Sequence, residues 1–371
     1  MFRTVREPGS GEGRLAPPQG ISYMAVFRDT ELGTTLLAAE AFGQRVEAVR
    51  RQIPAVRRAD DIEAVHQMRV ASRRLRAALS IFETVLPNQP VKRWRKAVKK
   101  VTRSLGAARD LDVQIEFVQK FQKDHGSEKR HRPGLERLVL RLSQQRAVQQ
   151  PSVLRAMDEI ERSRILDQVA QFARKTFAQG RLARVTPGGT VSMQFAQEAV
   201  RARLGDLVSY ESYVSQPDCV AQMHEMRIAA KRLRYTLEIF QPVFGSPIKP
   251  FIRSAKQFQT LTGDLHDMDV WLVRLPRFID DEKARTLEFF GHSRGFKRVR
   301  AGLDLLLEHC AATRESVYGH CVRQWDQLDA DHVWENLLQM CDTTPLGTDS
   351  APPAVRPPSA TEEPPPRAQA V

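Results

Sequence analysis

Several familiar signals are missing from this sequence, and each absence narrows what the chain can be. The four cysteines, Cys219, Cys310, Cys321 and Cys341, form no CxxC pair, so neither a disulfide framework nor a zinc knuckle is indicated. Reduced thiols in a cytoplasmic protein are expected. The N-terminal Met1-Phe2-Arg3-Thr4 opens no apolar run of the signal-peptide kind, and no window approaches the roughly 18 continuous apolar residues of a membrane span. A soluble protein with no membrane partner is the expectation. Strand signals are nearly absent, which leaves an all-α fold. There is no P-loop, no paired-carboxylate metal motif and no nucleophile elbow; neither an enzyme nor a cofactor is expected.

What the chain does have is positive charge. Its 57 lysines and arginines outnumber 44 acids, for a net charge of +13, and this calls for a polyanionic partner such as nucleic acid, polyphosphate or an anionic surface. The charge is concentrated in a repeated stretch. His66 to Phe82 reads H-Q-M-R-V-A-S-R-R-L-R-A-A-L-S-I-F, and His224 to Phe240 reads H-E-M-R-I-A-A-K-R-L-R-Y-T-L-E-I-F. At about 100° per residue, His66, Arg69, Arg73 and Arg76 share one sector of a helix, while Met68, Ala71, Leu75, Leu79 and Phe82 occupy the far side. An ordinary solvated face mixes signs, yet no acid stands between His66 and Arg76. Something anionic should lie along this stripe. At 1.5 Å rise per residue it is about 15 Å long, enough for several consecutive phosphates. Arginine forks and lysine point charges suit phosphate oxygens.

Taken in order, residues 1 to about 30 read as a flexible leader, and residues 343–371, with seven prolines between Pro352 and Pro366, as a disordered tail. A helix should run from Thr34 to Pro54, and Asp60 or Asp61 should cap the stripe helix. The next helix carries Lys92, Lys96, Lys99 and Arg103 at a common spacing; Gly106 should stop it, and Ala107 to Val113 should open another. Lys123 to Gly134 reads as a polar loop, residues 135 to about 178 as helix interrupted near Pro151, and Pro187-Gly188-Gly189 as a hinge. The second half repeats this order, with helices at about Ser192–Leu207, Val220–Phe244 and Phe251–Thr262, and further helices over 282–341. Gly263 to Val270 matches Gly106 to Val113 at an offset of 157, one less than the offset between the histidines. The duplication therefore covers two helices and their connection, with repeats at about 31–180 and 190–342.

With H-x-x-R-x-x-x-[RK]-R-L-R present twice, each copy followed by K-x6-G-x-x-[RH]-D-x-D-V, the chain resembles the CHAD family, the conserved histidine α-helical domains, over about residues 30 to 342. The resemblance implies two pseudo-symmetric helical bundles whose basic helices line a central cavity that binds inorganic polyphosphate. Carried over by position, the first unit supplies His66, Arg69, Arg73, Arg74, Arg76, Lys96, Lys99 and Arg109. The second supplies His224, Arg227, Lys231, Arg232, Arg234, Arg253, Lys256 and His266. Arg74 and Arg232 fall off the main stripe and Arg103 is matched by Thr260, so these side chains can instead brace acids such as Asp110 and Asp267. Some family members also carry a triphosphatase domain with an E-x-E-x-K strand. Here the nearest string, Glu159-Ile160-Glu161-Arg162-Ser163, lacks the lysine, which indicates a stand-alone binding domain, with targeting to polyphosphate granules as one use.

Other readings compete. Nucleic acid is the rival partner, but sequence-tolerant single-strand binders interleave cations with stacking rings, and the stripes offer only Tyr235, which is matched by Ala77. His266-Asp267 invites a metal-hydrolase reading; the matching Arg109-Asp110 argues against it, because arginine cannot ligate metal. His309-Cys310 and His320-Cys321 lie about 16 Å apart on a continuous helix, too far for one zinc, and read as buried thiols. His66 and His224 either contact the ligand or hydrogen-bond a neighbour; their matching positions favour the ligand.

Overall fold

The structure, a computed structural model, describes residues 32–58, 62–86, 88–125, 128–183, 185 and 190–343. The expected leader, tail, Pro187–Gly189 hinge and Asp60/Asp61 cap lie outside these. Among the described residues ten α-helices follow one another: α1 (Leu32–Arg58), α2 (Ile62–Ile81), α3 (Asn88–His125), α4 (Arg132–Arg162), α5 (Ile165–Ala183), α6 (Thr190–Val208), α7 (Val220–Phe244), α8 (Lys249–Phe290), α9 (Phe296–Ala330) and α10 (Val333–Thr343). There is no strand among the described residues. The fold is all-α.

The packing of the first five helices recurs in the last five. α1 packs on α2 and α5, α2 on α3, and α3 on α4; likewise α6 packs on α7 and α10, α7 on α8, and α8 on α9. The halves meet through α2 against α7, α1 against α6 and α4 against α9. The apolar side of each stripe drives this arrangement. Met68, Leu75, Leu79 and Phe82 are fully buried, as are Met226, Leu233, Leu237 and Phe240. The Phe82 and Phe240 rings meet edge to face at 5.9 Å, and Phe195 lies against both. Each such side chain contributes about 1.5–3 kcal/mol through burial. One apolar core therefore spans both halves, and a second, formed by the far parts of α3 and α8 with the first parts of α4 and α9, is also shared.

Both cores hold thiols. Cys310 lies in the second core and Cys321 in the first, so the two His-Cys pairs belong to different environments. Burial pushes both thiols up to about 12, and no cysteine is disulfide-bonded.

Four expected breaks are absent: α1 does not end at Pro54 but runs through it to Arg58, with Ile53 and Val56 buried on either side. α3 runs straight through Gly106, and α8 through Gly263; neither glycine ends a helix. α4 continues through Pro151 and ends instead at Ser163-Arg164, where Arg164 turns to a φ of 50°. A proline inside a helix costs about 3 kcal/mol, but Leu135, Leu138 and Leu142 before it and Val153, Met157 and Ile160 after it are all buried on one face. Gly134, expected in a loop, is the third residue of α4. It meets the carbonyl of Val299 on α9, while Gly302 of α9 meets the carbonyl of His131, so a Cβ on either would collide with backbone at this crossing of the halves.

Ion pairs on buried or half-buried carboxylates clasp neighbouring helices. Asp112 accepts from Arg146 Nε at 2.6 Å, joining α3 to α4, and its sequence counterpart Asp269 accepts from Arg314 Nε at 2.6 Å, joining α8 to α9. Glu282, 1% exposed, takes Arg137, Arg141 and Arg285. Burial alone would raise this carboxyl, but those hydrogen bonds outweigh it and hold it below its ordinary range.

Candidate functional site

α2 and α7 cross with their cationic stripes toward one another. Lys231 shows this most directly: burial first, then the nearby Arg227, Arg73, Arg76 and Arg69 guanidinium groups, push its ammonium down to about 7. Three of those four arginines belong to the other half. Beside this crossing opens a cleft of about 720 Å³, walled by α2, α3, α6 and α7.

The cleft carries nine cationic side chains: Arg73 and Arg76 from α2, Lys92, Arg95, Lys96 and Lys99 from α3, Arg203 from α6, and Lys231 and Arg232 from α7. No acid lines it among the described residues. Arg95 pairs with Glu83 at 3.1 Å and Arg203 with Asp206 at 2.8 Å; the other seven have no acid within ion-pair distance among the described residues. Burial lowers the pKa of Arg73 and of Arg76, and neighbouring arginines add to it. Such a site is held in a state that an anion relieves.

Toward the N-terminal ends of the stripes the chemistry becomes mixed. Arg69 reaches Asp110 at 3.5 Å, lying over Gly106, where a Cβ would stand 2.5 Å from its Nη1. Here is the physical reason for the glycine inside α3. His66 has its pKa lowered by burial and then by Arg109. In the second half His224 Nδ1 lies 3.1 Å from His266 Nδ1, so one nitrogen donates and the other accepts, and a single proton serves the pair. Burial, then His224, Arg227 and Lys231, push His266 down to about 4. Arg109 and His266 thus both neighbour a stripe histidine. Asp264 and Asp267 are raised by burial against the opposing pull of Arg227.

Against known proteins, the chain matches the CHAD domain over residues 40–276, well over half its length. The chain belongs to the CHAD domain family. CHAD domains are in general polyphosphate-related. The crystal structure of the CHAD domain from the plant Ricinus communis is similar, with 20% identity, 87% of this chain and 96% of that one covered, and a TM-score of 0.53. PptA from Streptomyces chartreusis shares 17% identity, with 79% and 99% covered and a TM-score of 0.52. These likenesses concern the fold. No curated protein matches the chain.

Among the sixteen positions carried over from the CHAD resemblance, Arg73, Arg76, Lys96, Lys99, Lys231 and Arg232 line the cleft. His66, Arg69, Arg109, His224, Arg227 and His266 cluster at the mixed end just described. Four are placed elsewhere. Arg74 points to the opposite side of α2, 3.8 Å from Glu238. Arg234 is 8% exposed, stacked over the Tyr235 ring at 4.8 Å and paired with Glu238 at 3.3 Å. Arg253 and Lys256 are exposed on α8, which lends no side chain to the cleft lining.

None of Arg74, Arg103 and Arg232 forms an ion pair with Asp110 or Asp267. These acids face the stripe arginines Arg69 and Arg227 instead. Lys92, Arg95 and Arg203 are cleft residues outside those sixteen positions. Lys92 was visible as the first member of the α3 series; Arg203 comes from a helix whose sequence carries no stripe. The different fates of Arg76 and Arg234 do have a sequence signal, since Ala77 and Ser80 are matched by Tyr235 and Glu238.

Proposed function

We propose that this CHAD domain binds inorganic polyphosphate in the cleft between α2, α3, α6 and α7, as a binding protein rather than an enzyme. The observation that carries the reading is the convergence of stripes from both halves on one cleft lined, among the described residues, by nine cations and no acid. Phosphates spaced along a slim chain can neutralise such a surface at several points together, and each arginine offers a fork matched to phosphate oxygens. Bases have little to stack on. Tyr235, the aromatic residue of the lining, is 5% exposed and its ring lies under the guanidinium groups of Arg73 and Arg234. Nucleic acid would bind through its phosphates alone. On this reading the protein works in the cytoplasm, held at polyphosphate granules by the cleft.

The test is a competition at fixed salt between long polyphosphate and single- or double-stranded nucleic acid of equal charge. Polyphosphate should win by at least tenfold. Equal or stronger binding of nucleic acid would transfer the site to the rival partner.

A further inference from the structure

A second hollow, about 560 Å³, lies on the other side of α2, between α1, α2 and α7. Arg45, Arg51 and Arg74 border it, against one acid, Glu238. Its composition has a precedent inside the same molecule. Adding 158, the offset between the stripe histidines, turns Arg45, Val70 and Arg74 into Arg203, Ile228 and Arg232, and Glu238 is the counterpart of Ser80. All four counterparts line the cleft. The hollow is therefore the first half's version of the cleft wall built by α6 and α7, with the arginine pair kept and a carboxylate where the cleft has a hydroxyl.

That carboxylate is divided between the two sides. Its oxygens lie 3.8 Å from Arg74 Nε and 3.3 Å from Arg234 Nε, both beyond the usual hydrogen-bond range of about 2.7–3.2 Å. With Arg234 and Tyr235 beside it, Glu238 stands between hollow and cleft. Arg45 and Arg51 donate only to carbonyls of their own helix, at 3.0 and 3.4 Å, and neither has an acid within ion-pair distance among the described residues. One loosely held carboxylate thus faces three guanidinium groups.

We propose that this hollow is a second anion site, separate from the cleft, that takes a small phosphorylated organic molecule of sugar-phosphate or nucleotide size. Its volume falls within the roughly 300–1,000 Å³ of small-ligand pockets and would leave an orthophosphate mostly uncontacted. The arginines would hold the phosphate. Gln44 and Gln67 engage their amide nitrogens with Glu40 and Glu63 of their own helices, which leaves their carbonyl oxygens as acceptors. Each amide thus offers an acceptor for a ligand hydroxyl beside its remaining N–H donor, a pairing that an inorganic phosphate chain, which has no hydroxyl along its length, uses only in part. Val70 and Ala48 add an apolar patch that an inorganic chain does not need.

The experiment is titration calorimetry on the full chain with adenosine 5′-diphosphate, ribose 5-phosphate, inorganic triphosphate and long polyphosphate. Three variants accompany it, all confirmed folded by circular dichroism: Arg51→Ala with Arg74→Ala in the hollow, Lys96→Glu with Lys99→Glu in the cleft, and Glu238→Gln between them. One of the organic phosphates should lose at least tenfold in affinity with the hollow variant, keep its affinity with the cleft variant, and gain severalfold with Glu238→Gln; which one does so identifies nucleotide or sugar phosphate. Long polyphosphate should show the reverse sensitivity to the first two variants. The proposal fails if both organic phosphates show no binding at millimolar concentration, if the cleft variant abolishes their binding, or if triphosphate matches them. It fails equally if the hollow variant weakens long polyphosphate as much as the cleft variant does, because the hollow would then be part of one path.

Discussion

Lys231 sits where four guanidinium groups of two different helices converge, and that position makes its charge conditional. Folded, it loses its proton near pH 7; unfolded, near its ordinary value of 10.5. Between these limits the unfolded chain binds more protons, so this group makes the empty protein more stable as pH rises from about 7 to 10.5, and its cost is fully present below pH 7. A bound phosphate chain reverses the balance by favouring the ammonium form. Polyphosphate binding at pH 8 should therefore take up to about one proton at this position, measurable by calorimetry in buffers of different ionisation enthalpy, and affinity should fall as pH rises from 7 to 9. Lys231→Met should abolish the uptake and raise the melting temperature of the empty protein at pH 7. Uptake that persists in that variant would place the proton on the histidines.

Among the elements, α3 and α8 differ in how tightly each receives its stripe arginine. Gly106 has Arg69 Nη1 where a Cβ would come within 2.5 Å, whereas Gly263 leaves Arg227 Nε at an ordinary 3.6 Å. Alanine stabilises a helix interior over glycine by about 0.8–1 kcal/mol. Gly263→Ala should therefore stabilise the protein by about that amount and leave binding unchanged. Gly106→Ala should stabilise it less, because the Arg69 guanidinium must move from its place beside Asp110, and should weaken polyphosphate binding severalfold. Thermal melts and binding isotherms on the two variants check the contrast; equal binding by both would mean that the position of Arg69 is of no consequence.

For the whole molecule, the decisive question is whether the two stripes serve one ligand. Arg69→Glu with Arg73→Glu should cripple polyphosphate binding although Arg227 and Lys231 remain, because the new acids would lie along the path of the same chain and repel it. Arg227→Glu with Lys231→Glu should be about as harmful. If each double variant instead keeps half the capacity at unaltered affinity, the halves bind independently. Affinity of the unaltered protein should also fall steeply with salt, since several phosphates are neutralised together and counterions are released. A flat salt dependence would remove the electrostatic account of the cleft.

The sequence alone was enough for the helical class, the two stripes and their buried faces, because a 3.6-residue period and an acid-free cationic sector are local properties of a single helix. It also carried the family, through two motifs in the same order. Helix ends were legible only in part: Val220–Phe244 was read at its true bounds, but Pro54, Gly106, Gly134 and Pro151 read as breaks by local propensity, and packing overrode each of them. Gly106 makes room for Arg69, and Gly134 for the backbone of α9. Nor did the sequence decide which cations face one another. Arg74 and Arg232 occupy equivalent positions in the repeat, yet one looks into the hollow and the other into the cleft. Tyr235 and Glu238 exist in only one copy; Arg234 lies over the Tyr235 ring and pairs with Glu238, so the surroundings of the two α2–α7 faces differ. A repeated sequence specifies equal helices, and only their packing against each other shows where the surroundings differ.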